Sequence, residues 1–336
     1  MTDGNPVDSV ETMFGTPAAP TLWLSPMEGV TDPPFRHICK GYGADILVTE
    51  FISSEALIRN AKKSFDKMAF EPSDAPTAIQ IFGHDEKSLC EAAELAAARK
   101  PAFVDINWGC PVRKVVSKGA GAGILRDIPR MVSVTAAVVR QLAPLGMPVT
   151  VKTRLGWDFS DLPIVEAAER LQDVGIACIG IHGRTRSQLY AGEADYTLIK
   201  AVKENPRMRI PVIANGDIDA GPKAKAVLDY TGADGLLIGR AAMGNPWIFT
   251  QIKHYLSTGE ELPLPDLATR KAACLAHFAA LVAHYGPVVG GQLIKIHYSG
   301  YFKGLSGFKP FKAQLMRTAD YAEAADILEE YRLSMA

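Results

Sequence analysis

The sequence Phe103-Val104-Asp105-Ile106-Asn107-Trp108-Gly109-Cys110-Pro111 joins a short apolar run to a turn that carries a thiol. Its first five residues have the length and composition of a buried strand. Pro111 fixes its own φ and pushes Cys110 towards an extended conformation, while Gly109 lets backbone or a ligand approach closely. A thiol just past the carboxyl end of a strand lies where barrel enzymes keep their chemistry, although a small residue filling a turn explains it equally well at this stage.

Similar runs recur along the chain and are mostly separated by segments with helical periodicity. The eight predicted strands are 22–25, 46–50, 77–82, 103–107, 149–154, 178–182, 211–215 and 235–239. Most are continuous apolar runs, as strands buried on both faces are. Eight strand–helix units over about 240 residues predict an α/β fold, the (β/α)₈ TIM barrel.

The alternative is a doubly wound open sheet, and the ends of the strands decide between the two. A barrel gathers its strand ends in one ring at the carboxyl face, whereas an open sheet spreads them along a line. Nearly every predicted strand ends in polar or glycine residues, which favours the barrel: Glu50, Gln80, Gly83, Asn107, Lys152, Arg154, His182, Asn215, Gly216, Asp217, Gly239 and Arg240.

The pattern changes after about residue 250. Pro263 and Pro265 interrupt the chain, and helical patterns without strands follow at 267–285, 291–303 and 311–333. We therefore expect a flexible N-terminal tail (1–20), a barrel (21–252) and a small C-terminal helical domain (253–336).

Composition restricts the possible functions. The formal net charge of the 336 residues is −1, so a nucleic-acid partner would need a local basic patch. The five cysteines form no C-x-x-C pair, which argues against a disulfide scaffold and a zinc site and indicates a reducing compartment. Neither a signal peptide nor an apolar run of membrane-spanning length occurs. We expect a cytoplasmic monomer that has no metal site and does not bind membranes.

The last two strands carry the residues of a phosphate site. Gly216 and Gly239 can turn backbone N–H groups inward, and Arg240 adds a fixed, forked cation. In barrels the loops after strands seven and eight often hold a phosphate. Each glycine alone is equally consistent with an ordinary turn at the end of a strand. Their occurrence together, after the seventh and eighth strands, favours the phosphate site.

Five polar residues lie on five different strands: Gln80, Asn107, Lys152, His182 and Asn215. Donors of this kind suit the edge of a flavin ring, and a cation beside it stabilises the anionic reduced form. A lone histidine is more often a structural residue, but the place of His182 in this ring favours function.

Basic residues cluster near the thiol and again in the helical part. The first group is Arg113, Lys114, Lys118, Arg126, Arg154, Arg184 and Arg186, and the second is Lys295, Lys303, Lys309, Lys312 and Arg317, with five aromatic residues among them. Cations beside aromatic rings suit contact with phosphates and bases of RNA. A solvated face over an aromatic core is the alternative for the second group.

With these motifs the chain resembles the tRNA-dihydrouridine synthases, in particular their bacterial B-type branch. The resemblance runs from about residue 22 to the C-terminus. Two positions depart from the family pattern: Ile296 stands where many relatives have a basic residue, and Gly300 stands where B-type enzymes have Trp. Its motifs include Pro26-Met27-Glu28-Gly29, Gln80-Ile81-Phe82-Gly83, Asn107-Trp108-Gly109-Cys110-Pro111, Lys152-Thr153-Arg154, His182-Gly183-Arg184 and Gly244-Asn245-Pro246-Trp247.

The resemblance implies an FMN enzyme that reduces the C5=C6 bond of a uridine in tRNA with NADPH. Hydride would pass from flavin N5 to C6, and Cys110 would give the proton to C5. Cofactor contacts would come from Pro26, Met27, Glu28, Gln80, Lys152, His182, Asn215, Gly216, Asp217, Gly239 and Arg240. Contacts to tRNA would come from Asn107, Arg113, Lys114, Gly119, Arg154, Arg184, Tyr190 and Lys295.

Two other functions fit part of the sequence. An FMN barrel that reduces a free pyrimidine explains the flavin site and the thiol, but not the helical part or the basic loop. A catalytically inactive RNA-binding barrel explains the basic surface, but not the presence of both Cys110 and Lys152.

Overall fold

The predicted strands pair in parallel around a closed ring in the computed structural model, which describes residues 13–334. The first strand pairs with the second on one side and with the last on the other, and this closure confirms the TIM barrel over the open sheet. The strands are β1 (Thr21–Leu24), β2 (Ile46–Val48), β3 (Ile52–Ser53), β4 (Thr77–Phe82), β5 (Phe103–Asn107), β6 (Val149–Arg154), β7 (Cys178–His182), β8 (Val212–Asn215) and β9 (Gly235–Ile238).

The two-residue strand β3 was not predicted. It pairs with the end of β4, on the side where β2 pairs with the start of β4. β2 and β3 together therefore act as the second barrel strand, interrupted at residues 49–51.

Helices surround the ring and continue beyond it. They are α1 (Pro33–Gly41), α2 (Ser54–Ile58), α3 (Lys62–Lys67), α4 (Glu86–Ala97), α5 (Arg113–Val116), α6 (Ile128–Leu142), α7 (Ile164–Asp173), α8 (Thr197–Glu204), α9 (Gly221–Thr231), α10 (Ile248–Thr258), α11 (Leu267–Tyr285), α12 (Pro287–Leu293), α13 (Tyr298–Tyr301), α14 (Lys309–Leu315) and α15 (Tyr321–Ser334). Within residues 13–334, no helix combines the length and apolarity that crossing a bilayer requires.

The interior of the ring is closed at its amino end by an aromatic cluster. Phe14 is fully buried, with its ring centroid 5.1 Å from that of Phe103 and 5.7 Å from that of Trp23. The predicted flexible tail covered residues 1–20. Residues 1–12 lie outside the described residues, but the buried position of Phe14 contradicts the prediction for that residue. Its burial under the barrel was missed because one aromatic residue among polar ones carries no periodic signal.

The C-terminal helical region differs from the sequence prediction in detail. α11 has the predicted bounds, whereas each of the two later predicted helices is broken. In the last one, the side chain of Asp320 accepts the N–H of Glu323 and starts a new helix. The domain boundary predicted between residues 252 and 253 falls inside α10, which packs with Tyr255 against Gly221 of α9 on the barrel.

Strand register brings the chemistry-bearing residues together at the carboxyl end of the barrel. Lys152 of β6 pairs with Asn107 of β5. His182 of β7 pairs with Arg154 of β6 and with Asn215 of β8. Because parallel strands of a barrel end in the same ring, these side chains surround one opening.

Candidate active site

A cavity of about 880 Å³ opens at the carboxyl ends of the strands. It has the size of a site for a small molecule or cofactor. Of the residues predicted to act, those that line it are Pro26, Met27, Glu28, Asn107, Cys110, Lys152, Arg154, His182, Tyr190, Asn215, Gly216, Asp217, Gly239 and Arg240.

The turn that carries the thiol is fixed by the last residue of β5. Oδ1 of Asn107 accepts the N–H of Gly109 at 2.9 Å and that of Cys110 at 2.8 Å. On the other side, the N–H of Ala122 donates to the carbonyl of Cys110 at 3.0 Å. Gly121, with φ +53°, allows this approach, because a Cβ there would lie 3.0 Å from the Cβ of Cys110.

The Cys110 side chain lines the cavity but is little exposed, with 6% of the residue accessible. Burial raises the pKa of this thiol above its ordinary value, against the opposing effects of a backbone N–H and of Arg154. The thiol is therefore protonated at neutral pH, as a proton donor must be.

A hydrogen-bonded chain lies beneath this turn. Nδ2 of Asn107 donates to Oε1 of Gln80 at 2.8 Å, and Nε2 of Gln80 donates to Oδ2 of Asp105 at 2.6 Å. Burial raises the pKa of Asp105 to about 6, although the bonds from Gln80 and Thr150 favour its charged form. Gln80 is fully buried and is not among the residues lining the cavity, so the structure places it as a support of Asn107.

Asp105 was not among the predicted site residues. A carboxylate inside an otherwise apolar strand is the signal that could have identified it, since such a group needs polar partners when buried. Its partners come from β4 and β6, on either side of β5.

Lys152 provides a buried cation in the cavity wall. Its Nζ donates to Oδ1 of Asn215 at 3.0 Å, and Nδ2 of Asn215 donates to the carbonyl of Leu237 at 2.8 Å. Burial and the charge of Arg154 lower the pKa of Lys152 to about 8. The residue is therefore largely charged at pH 7 and close to titrating.

Arg184 lies inside the wall rather than on the surface. It is 2% exposed and holds Asp217 in a bidentate pair, with Nη1–Oδ1 at 2.9 Å and Nη2–Oδ2 at 2.6 Å. It also donates to the carbonyls of Ala191 and Gly192. Its predicted contact with RNA is therefore corrected to a structural role, because no edge of the guanidinium is left for a partner outside.

His182 lies next to this ion pair, with Nε2 3.3 Å from Nη1 of Arg184. Burial, followed by the charges of Arg154 and Lys152, keeps the pKa of His182 well below its ordinary value. The ring is neutral, with 8% of the residue exposed at the cavity.

Arg154 connects the thiol turn to the loop after β7. Its Nε donates to the carbonyl of Gly109 at 2.8 Å, and its Nη1 donates to the carbonyls of Thr185 and Leu189 at 2.9 Å. Tyr190, more than half exposed, lies with its ring centroid 5.8 Å from Cζ of Arg154 and 4.8 Å from Cζ of Arg240. The Tyr190 ring therefore lies near the guanidinium groups of both Arg154 and Arg240 at the mouth of the cavity.

The predicted phosphate loops leave donors free at the cavity. Among residues 13–334, the N–H groups of Gly216, Gly239 and Arg240 have no hydrogen-bond acceptor. Arg240 is half exposed, and its Nη2 lies 3.1 Å from Oδ1 of Asp217. Burial opposes ionisation of Asp217, but the bonds from Arg184 and from the N–H of Ala194 hold its pKa below the ordinary value.

The helical region supplies the outer rim, which was only partly predicted. Lys295 is partly exposed but does not line the cavity, and Arg113 and Lys114 lie exposed on α5, with Gly119 exposed in the turn after it. Rim residues that were not predicted as site residues are Phe51, Met243, Asn245, Ile296, Ser299, Gly300 and Lys303. Most lie in loops or short helices whose position depends on tertiary packing.

Solved structures share the barrel fold, among them the following two. The chain aligns with histamine dehydrogenase from Rhizobium sp. 4-9 at a TM-score of 0.50 and 11% identity over 78% of its length. It aligns with a 2-naphthoyl-CoA reductase complex at a TM-score of 0.52 and 10% identity over 70% of its length. It spans about half of each of those chains (49% and 50%), and identity at this level shows the fold alone.

Sequence relatives are much closer. The chain is 42% identical over 299 residues to tRNA-dihydrouridine synthase B of Pseudomonas aeruginosa, which covers 89% of each protein. It is 40% identical over 312 residues to the protein of the same name from Vibrio cholerae, covering 92% of this chain and 95% of that one. The family model described as dihydrouridine synthase matches residues 23–335. The chain therefore belongs to the dihydrouridine synthase family, which confirms the predicted family and the prediction of an enzyme.

Proposed function

We propose that the protein is a tRNA-dihydrouridine synthase that binds FMN, takes reducing equivalents from NADPH and reduces the C5=C6 bond of a uridine in tRNA. The observation that carries the proposal is that a protonated thiol, Cys110, and a buried cation, Lys152, line the same cavity as an unpaired set of backbone donors. The names of the relatives support tRNA as the substrate.

The loops after β8 and β9 fit the phosphate of FMN. The unpaired N–H groups of Gly216, Gly239 and Arg240 would donate to phosphate oxygens, as such groups do at other anion sites. The guanidinium of Arg240 is half exposed and supplies the countercharge. Asp217 carries a negative charge nearby, but Arg184 neutralises it through two hydrogen bonds.

The cavity wall fits the isoalloxazine ring. Met27 and Pro26 provide apolar contact, and Lys152 provides the cation that favours a reduced, anionic ring. When bound, the cofactor supplies the hydride that is added to uracil C6. Lys152 is held in place by Asn215, so its charge is fixed before substrate binds.

Cys110 would protonate uracil C5. Hydride addition at C6 leaves negative charge that is delocalised to the C4 carbonyl and is quenched by a proton at C5. The raised pKa of the Cys110 thiol keeps that proton available at pH 7. Asn107 positions the thiol through the N–H of Cys110.

Docking of tRNA would use the exposed basic loop and the rim. Arg113 and Lys114 are exposed beside the cavity, and Tyr190 offers a ring on which a base can stack. The target base must leave the folded tRNA to reach the cavity, at a cost of a few kcal/mol. Phosphate contacts around the opening offset that cost. Gly119 and Lys295 are proposed to take part in the same surface. Arg154 is 2% exposed and bonded to three carbonyls, so we assign it to the support of the mouth instead of to contact with RNA.

The test measures substrate choice with the purified protein. We expect a yellow protein with flavin absorbance that NADPH bleaches, and whose colour returns on adding unmodified tRNA but not on adding free uridine. Equal reoxidation by free uridine would instead support a small-molecule reductase. A colourless protein that binds no FMN would support the inactive RNA-binding alternative.

A further inference from the structure

The loop that follows β9 is held from outside by the helical region. The N–H of Gly244 donates to Nδ1 of His297 at 3.1 Å. A Cβ on Gly244 would overlap the carbonyl of His297, and a Cβ on Gly300 would overlap the carbonyl of Met243. The two backbones are therefore in direct contact at two glycines, and one imidazole accepts the hydrogen bond between them.

His297 is suited to this contact because it is neutral and fixed. It is 1% exposed, and burial lowers its pKa to about 3. Its ring centroid lies 4.6 Å from that of Phe35 and 4.5 Å from that of His277. Since Nδ1 accepts, the hydrogen of the neutral ring is on Nε2. Without this nitrogen, the buried N–H of Gly244 would have no acceptor among the described residues.

The other end of the same loop faces the cavity. Successive turns run from Gly239 to Asn245, in which Ala242 donates to Gly239 at 2.9 Å, Met243 to Arg240 at 3.2 Å and Asn245 to Ala242 at 2.9 Å. Met243 and Asn245 line the cavity together with Arg240. These short turns connect Gly244 to the N–H groups proposed to bind phosphate, so a shift of Gly244 would move those groups.

We propose that His297 is a positioning residue for the cofactor phosphate: it accepts the N–H of Gly244 and thereby fixes the loop that presents Gly239 and Arg240 to the phosphate of FMN. The inference rests on the proposed function, because it takes FMN as the ligand. It assigns to the helical region a part in cofactor binding, in addition to its proposed contact with RNA.

The experiment measures FMN binding to stripped protein by quenching of flavin fluorescence. His297→Leu leaves the Gly244 N–H unpaired and should raise the dissociation constant roughly tenfold. His297→Asn places an amide oxygen near the position of Nδ1 and should restore binding to within about threefold of the unsubstituted protein. Gly300→Ala adds a methyl group that overlaps the carbonyl of Met243, which forces α13 and the loop apart and should weaken binding as well.

His277→Leu is the matched control, because His277 belongs to the same buried cluster but hydrogen-bonds to Tyr301 rather than to the loop. Its dissociation constant should not change, although urea unfolding should show lower stability. If His297→Leu and Gly300→Ala bind FMN as tightly as His277→Leu does, the positioning role is wrong. If His297→Leu does not fold, the Gly300→Ala result decides in the same way. If the unsubstituted protein binds no FMN, the proposed function fails instead.

Discussion

Oδ1 of Asn107 accepts the backbone N–H of Cys110 at 2.8 Å, so the last residue of one strand fixes the thiol that follows it. The same oxygen accepts the N–H of Gly109, and the amide nitrogen donates to Gln80. The position of the proposed acid is thus set by one amide side chain, whereas its protonation follows from burial.

Replacing Asn107 tests this arrangement. Asn107→Ala removes three hydrogen bonds and leaves buried groups unpaired, so unfolding in urea should show a loss of about 1–3 kcal/mol. The rate of uridine reduction should fall by at least tenfold, because a misplaced acid loses its geometry. Flavin reduction by NADPH serves as the internal control and should change little. Unaltered uridine reduction would show that the turn keeps its shape without the amide.

The two titrating groups of the site predict a pH profile. Burial raises the pKa of Cys110, so proton donation should persist across neutral pH and decline only above the ordinary thiol range, about 8.5. Lys152 has a pKa of about 8 and therefore loses its charge at a lower pH than the Cys110 thiol loses its proton. Single-turnover rates of the two half-reactions separate them, since flavin reduction does not use the thiol. A decline of the tRNA-dependent step alone, centred near pH 7, would contradict the assignment of Cys110.

The buried charge of Lys152 should speed flavin reduction but lower the free energy of unfolding. Its folded pKa is lower than its unfolded pKa, so the unfolded state binds more protons between about pH 8 and 10.4, and stability should rise with pH across that interval. Lys152→Met removes the cost of a buried charge, and urea unfolding of the FMN-free protein should show a gain of about 1–2 kcal/mol. Flavin reduction should slow at least tenfold. Lys114→Met, at an exposed lysine, should change neither quantity, and a less stable Lys152→Met protein would refute the explanation.

Substitution of Arg184 should lower stability, whereas substitution of the exposed basic residues should weaken tRNA binding. Arg184→Leu removes the buried partner of Asp217 and leaves only Arg240 and the N–H of Ala194 beside that carboxylate, so it should destabilise the protein by about 1–3 kcal/mol. Arg113→Ala and Lys114→Ala should leave stability within about 0.5 kcal/mol and reduce the slope of log affinity for tRNA against log salt by about 0.7–0.9 each. Unfolding curves and filter binding at several salt concentrations measure both. A stable Arg184→Leu protein with a smaller salt slope would restore its predicted contact with RNA.

The sequence was sufficient for the barrel because its strands are short apolar runs that end in polar residues. β4, β5, β6 and β7 have the predicted bounds, and residues at the ends of β5, β6 and β7 line one cavity. Contacts between residues distant in sequence were not predictable. Arg184 has the composition of a surface cation, and only its pairing with Asp217, 33 residues later, places it inside. Gly300 has no side chain to indicate a contact, and its closeness to Met243 depends on packing of the helical region.

The account depends most on Cys110 as the proton donor to uridine, and a stopped-flow measurement on Cys110→Ala tests it directly. The flavin bound to this variant should be reduced by NADPH at the rate of the unsubstituted protein. Reoxidation by unmodified tRNA should be slower by about 10²–10⁴-fold, the usual contribution of a general acid. Reoxidation at the unsubstituted rate would contradict the central claim.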